Sequence, residues 1–68
     1  MNVKEMNDEL NILKFKVIRK TTGANVHKAE NLLGSVRTII TEYGRTKDKA
    51  WLELYTKAKK EIIKFISS

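Results

Sequence analysis

The sequence predicts an all-α protein, an antiparallel up-down-up bundle of three helices. Three stretches carry apolar residues at alternating steps of three and four, which places those residues on one face of a helix. Glycine-containing turns of a few residues separate the stretches, and short connections make successive helices antiparallel neighbours. The 68 residues are enough for one small helical domain, residues 1–68, whose core contributes little net stability.

The first helix is predicted over residues 2–21. Asn2 is a suitable N-cap, and Glu5 three residues later completes a capping box. The predicted core face consists of Val3, Met6, Leu10, Leu13 and Val17. Further apolar residues lie off this face, and we call them the apolar strip: Ile12, Phe15 and Ile18. So wide an apolar surface indicates that the helix contacts two neighbours, or that part of it receives a partner chain.

The second helix is predicted over residues 25–43. Asn25 is a suitable N-cap, and Gly44 a suitable C-cap. The predicted core face consists of Val26, Ala29, Leu33, Val36, Ile40 and Tyr43. We expect a continuous helix, with a kink or break at Gly34 as the alternative, because glycine weakens a helix interior.

The third helix is predicted over residues 46–66, with Thr46 as its cap. Its predicted core face consists of Trp51, Leu54, Tyr55, Ala58, Ile62, Phe65 and Ile66. Between the first two helices lies the hinge, residues 21–25, where Gly23 is expected to adopt the left-handed C-cap conformation.

The net charge of +6 is expected to collect at the end of the bundle that holds the hinge. Up-down-up topology brings one set of basic residues to this end, and we call it the basic pole: Lys14, Lys16, Arg19, Lys20, Lys28, Lys57, Lys59, Lys60 and Lys64. Only Glu30 and Glu61 oppose them there. The free backbone N–H groups at the start of the second helix are expected to add an anion site, formed by Thr22, Gly23, Ala24 and Asn25.

These features predict a small non-enzymatic protein that docks its basic pole on a polyanionic macromolecule, with nucleic acid favoured. Contacts to phosphate would make the binding largely independent of base sequence, and DNA and RNA remain equally open. The alternative interpretation is a basic end that is only solvated and binds no partner, because lysines near helix C-termini are favoured by the helix dipole alone.

Other classes of protein have little support in the sequence. Without cysteine there is no disulfide or thiolate metal site, which favours the cytoplasm. No apolar run is long enough for a transmembrane segment. His27 has no second ligand at metal-binding spacing, and neither a glycine-rich phosphate loop nor a Ser/His/Asp set is present. We therefore predict no cofactor, no metal and no small-molecule substrate.

Residues 18–33 resemble the N-terminal UBA-like domain of elongation factor Ts. The matching positions of that family's Leu-Arg-x-x-Thr-Gly-Ala turn and following helix are Ile18, Arg19, Thr22, Gly23, Ala24 and Leu33. In that family the domain docks on elongation factor Tu, so the resemblance implies a protein-binding hinge and no exchange activity.

The alternative function is therefore a protein interaction module, an adaptor or inhibitor encoded by a mobile element or virus. It would use the hinge and the apolar strip against an acidic host protein. A homodimer formed through the same strip is a further alternative.

Overall fold

The computed structural model describes residues 1–67, which form three α-helices: α1 (Val3–Lys20), α2 (Val26–Thr46) and α3 (Ala50–Ser67). Each helix contacts both others, and the molecule measures 36 × 17 × 16 Å. The hydroxyl of Tyr43 donates to the carbonyl oxygen of Met1 at 3.4 Å, so α2 ends where α1 begins. Tyr55 donates to Glu9 at 2.9 Å, and further along both helices Ile63 lies beside Ile12, so α3 runs in the same direction as α1. The predicted up-down-up bundle is confirmed.

The core comes from the apolar faces that the helical spacing indicates. Its buried residues are Met6, Leu10, Val17, Ala29, Val36, Ile40, Tyr55, Ile62 and Phe65. Leu54 was expected among them, and this is wrong, because it lies at the edge of the α3 face towards α2 and remains 43% exposed. Within residues 1–67, no helix combines the length and the apolar character that crossing a membrane requires.

The predicted capping box at the start of α1 is present. The N–H of Glu5 donates to Oδ1 of Asn2 at 2.9 Å, and the N–H of Asn2 donates to Oε1 of Glu5 at 3.4 Å. This pair satisfies two N–H groups that would otherwise lack a helical partner, and it stabilises the beginning of the helix.

The predicted end of α2 at Gly44 is wrong. The helix continues to Thr46, and Lys47 adopts the left-handed conformation with φ 59°, donating its N–H to the carbonyl of Tyr43 at 2.8 Å. Gly44 has a packing role instead, because a Cβ there would lie 3.2 Å from Cγ2 of Val3. Its small size lets the two helices approach closely.

The predicted cap of α3 at Thr46 is also wrong. The Thr46 hydroxyl lies within α2 and donates to the carbonyl of Glu42 at 2.9 Å. Oδ1 of Asp48 accepts the N–H of Ala50 at 2.9 Å and so satisfies an N–H group in the first turn of α3.

The hinge turns without the expected left-handed glycine. Gly23 has no positive φ, and the C-cap of α1 is Thr21, which is extended with φ −78° and ψ 129°. Oδ1 of Asn25 accepts the N–H of Thr22 at 2.6 Å, and Nδ2 of Asn25 donates to the carbonyl of Lys20 at 3.3 Å. The asparagine side chain therefore closes the hinge rather than capping α2.

We predict that Gly34→Ala stabilises the protein by about 1 kcal/mol, the helix-propensity difference between glycine and alanine. The helix α2 is continuous through Gly34, and an added Cβ would meet nothing within 4 Å. Urea unfolding followed by circular dichroism measures the change. Gly44→Ala is the matched control, and its gain should be smaller because Val3 must shift. Loss of stability in Gly34→Ala would contradict a continuous α2.

Candidate binding surface

The basic pole lies where the end of α1, the start of α2 and the end of α3 meet. The side chains exposed at or near this end are those of Lys14, Lys16, Arg19, Lys20, Lys28 and Lys64. Lys57 and Lys60 were expected at the same end, but both lie near the middle of α3. Together with Lys64 they border a shallow groove between α2 and α3, so the basic surface continues along α3.

Most of this positive charge has no acidic partner. Among residues 1–67, no carboxylate lies at ion-pair distance from Lys14, Lys16, Arg19, Lys20, Lys28, Lys57 or Lys60. Lys64 lies 3.6 Å from Glu61, and both side chains are mostly exposed. At the opposite end Lys4 pairs with Asp8, and Arg45 with Glu42. The remaining basic residues of that end, Arg37, Lys47 and Lys49, are balanced by Glu5, Asp48 and Glu53. The net charge is therefore carried by the hinge end and α3.

Lys59 does not belong to the free basic surface. Its Nζ lies 3.0 Å from Oε2 of Glu9 and 5.3 Å from the centre of the Tyr55 ring. The hydrogen bonds from Lys59 and Tyr55 hold the pKa of Glu9 below its usual range. Burial and the hydrogen bond to Glu9 raise the pKa of Tyr55. The sequence pattern missed this cluster because it joins α1 to α3 across 46 and 50 residues of chain.

The hinge offers fewer free donors than the sequence indicates. The N–H of Thr22 is taken by Asn25, and the N–H of Asn25 donates to the carbonyl of Thr22 at 3.1 Å. For Gly23 and Ala24, no acceptor for the N–H group lies among residues 1–67. The anion site expected at four hinge residues is therefore reduced to two hinge N–H groups and the first turn of α2.

The apolar strip is exposed and spreads across the outside of α1. Ile12 is 58% exposed, Phe15 67% and Ile18 55%. Ile12 lies on the side of α3, in a shallow groove with Ile63, and Ile18 lies on the side of α2, in a groove with Leu33. Phe15 points outward between them. The strip is therefore a surface feature and not part of the core.

Ile63 adds to this surface and was not predicted. It is 48% exposed beside Ile12. The signal in the sequence was its position next to Ile62, because consecutive residues lie about 100° apart on a helix and Ile62 is on the predicted core face.

Searches of protein-family models, curated proteins and solved structures find no match to this chain. The resemblance of residues 18–33 to the elongation factor Ts domain therefore stays a prediction. The function has to be argued from the surfaces themselves.

We predict that Tyr55→Phe lowers the free energy of unfolding at pH 7 by about 1 kcal/mol, because it removes the donor to the Glu9 carboxylate. The lowered pKa of Glu9 adds stability above the usual carboxyl pKa, and this stability is lost as the pH falls through the lowered value. The difference in the free energy of unfolding between variant and parent should therefore be smaller at about pH 3 than at pH 7. Urea unfolding at both pH values measures it.

The matched control is Tyr43→Phe. Its hydroxyl donates to the Met1 carbonyl at 3.4 Å in an exposed position, so its loss should change stability by less than about 0.5 kcal/mol at either pH. An effect of Tyr55→Phe that is equally large at both pH values would show that the hydroxyl acts independently of the Glu9 charge.

Proposed function

We propose that this chain is a small non-enzymatic binding protein whose basic pole docks on a polyanionic macromolecule, with nucleic acid as the favoured partner. The observation that supports it most is the excess of exposed positive charge at the hinge end and along α3, where only Glu30 and Glu61 oppose it, whereas basic and acidic residues nearly balance at the other end. A purely solubilising surface needs no such separation, and mixed charges serve that purpose.

The proposed contacts are phosphate contacts. Exposed lysine and arginine side chains bind phosphate oxygens and release condensed counterions, which makes the binding strong at low salt and weak at high salt. The residues proposed to bind phosphate are Lys14, Lys16, Arg19, Lys20, Lys28, Lys57, Lys60 and Lys64. The N–H groups of Gly23 and Ala24 would add hydrogen bonds at the hinge. Contacts to phosphate do not distinguish one base from another, so binding should be largely independent of the nucleic-acid sequence.

We predict that reversing Lys20 and Lys60 to glutamate lowers affinity for generic DNA and RNA by about 10-fold or more at low salt. The slope of log affinity against log salt should also fall by about 2, one for each lost phosphate contact. Fluorescence anisotropy of labelled DNA and RNA at several salt concentrations measures both quantities.

The matched control reverses Lys47 and Lys49, which are exposed at the opposite end. Both variants change the net charge by the same amount, so a difference between them reports position and not total charge. Equal losses in the two variants would mean that the basic pole has no special role. Absence of binding by the parent protein at low salt would reject nucleic acid as the partner.

A second candidate function is protein interaction through the apolar strip. The exposure of Ile12 and Phe15 favours it, because neither side chain is used by the bundle itself. The resemblance of the hinge to the elongation factor Ts domain points in the same direction. In this function another protein chain binds to the strip, and the partner that the sequence analysis favours is an acidic host protein.

Phe15→Ala separates the two functions. It leaves every positive charge in place, so nucleic-acid affinity should change by less than about 2-fold if phosphate contacts dominate. Docking of a protein chain on the strip should instead weaken by about 10-fold or more, since exposed aromatic anchors carry most of the affinity at such surfaces.

A further inference from the structure

The outward face of α1 carries a row of four residues with opposite charges at its two ends. We call it the outer row: Asp8, Ile12, Phe15 and Arg19. Steps of four, three and four residues keep all four within about 60° of one another around the helix, opposite the core face. The side chain of Asp8 is 61% exposed, and Arg19 is exposed like the two apolar residues. The row therefore reads acid, apolar, apolar, base along α1.

We infer that a second copy of this chain packs on the outer row, with the two α1 helices antiparallel about a twofold axis. Ile12 of each copy then packs on Phe15 of the other, and Asp8 of each copy pairs with Arg19 of the other. The inference rests on the second candidate function, that a protein chain docks on the apolar strip. It shares only Arg19 with the residues proposed to bind phosphate, and it can be tested in the absence of nucleic acid.

The twofold axis follows from the spacing of the row. In an antiparallel pair the positions in contact have a constant sum of residue numbers, and the pairs Asp8 with Arg19 and Ile12 with Phe15 share the same sum. One axis therefore satisfies both the apolar and the charged contacts. The spacing also matches the seam of a two-helix coiled coil, in which such residues interlock.

The charge distribution along α1 supports the antiparallel arrangement over a parallel one. Outside the core face, the first half of α1 carries Glu5, Asp8 and Glu9 with Lys4, whereas the second half has four basic residues and no acidic one: Lys14, Lys16, Arg19 and Lys20. A parallel pair would set these basic halves against each other, and like charges in contact are destabilising. The antiparallel pair sets the acidic half of one copy against the basic half of the other.

The same distribution favours a second copy over other occupants. A uniformly acidic protein face would complement Arg19 but would repel Asp8 at the other end of the row. Nucleic acid would complement the basic end and leave Ile12 in water. A second copy satisfies all four residues of the row, because the row is complementary to itself.

Asp8 is available for this contact. It lies 3.5 Å from Nζ of Lys4, whose side chain is 86% exposed, and an exposed pair of this kind contributes little to stability. Ile63 lies beside Ile12 and would extend the buried apolar area at the margin. A row of four residues in each copy is small beside the roughly 20 to 30 residues that each partner contributes to a standard stable interface, so we expect a weak dimer.

The first experiment exchanges charges across the proposed axis. Sedimentation equilibrium at about 10 to 500 μM protein, without nucleic acid, should detect a dimer of the parent chain. Asp8→Arg and Arg19→Asp should each weaken self-association by about 10-fold, since each sets like charges together twice. An equimolar mixture of the two variants should associate again, because one chain then has a basic row and the other an acidic row.

The second experiment removes the apolar contact. Phe15→Ala should weaken the dimer by about 10-fold or more. Leu54→Ala is the matched control, since Leu54 is a 43% exposed apolar residue in the groove between α2 and α3. Helical circular dichroism of each variant verifies folding, and all the charge substitutions lie at exposed positions.

Three outcomes would overturn the inference. In the first, the parent chain is monomeric throughout the concentration range. In the second, the mixture of Asp8→Arg and Arg19→Asp associates no better than either variant alone. In the third, Phe15→Ala and Leu54→Ala weaken self-association equally. Reversal of Lys28 and Lys60, two proposed phosphate contacts that lie on α2 and α3, should leave the dimer within about 2-fold of the parent, because neither residue lies on α1. Failure of the dimer and failure of nucleic-acid binding are therefore separate results.

Discussion

Burial of one apolar face from each helix in a single small core is the constraint on which the other features depend. Met6 and Val17 from α1, Val36 from α2 and Ile62 from α3 are almost completely excluded from solvent. All three helices pack on this core, and a short turn joins the end of each helix to the start of the next. The directions of the helices, and hence the positions of every surface charge, follow from that arrangement.

The core also determines what remains outside. A bundle of this size can bury only one face of each helix, so residues on the outer face of α1 stay in solvent even when they are apolar. Phe15 is the clearest example, since it is opposite the core and mostly exposed. The same geometry places the basic second half of α1 beside the end of α3, where lysines are favoured by the helix dipole. Two distinct surfaces result, one charged and one apolar with charged ends.

The two proposals divide α1 between these surfaces. Arg19 belongs to both, because it is exposed at the basic pole and lies at the end of the outer row. A dimer through the outer row would pair Arg19 with an acidic residue and leave Lys14, Lys16 and Lys20 free. Antiparallel packing would also set the two basic poles at opposite ends of the dimer. Each copy could then contact phosphate without interfering with the other.

The sequence by itself determined the three helices, most of their core residues and the capping box of Asn2 and Glu5, because spacing and caps are local properties of a helix. It also indicated that Ile12, Phe15 and Ile18 lie off the core. Only the tertiary structure decided the role of Gly44, which depends on the approach of Val3 from another helix. The pairing of Lys59 with Glu9 likewise depends on the register of α3 against α1. That register is set by packing in the core between residues that are far apart in the chain.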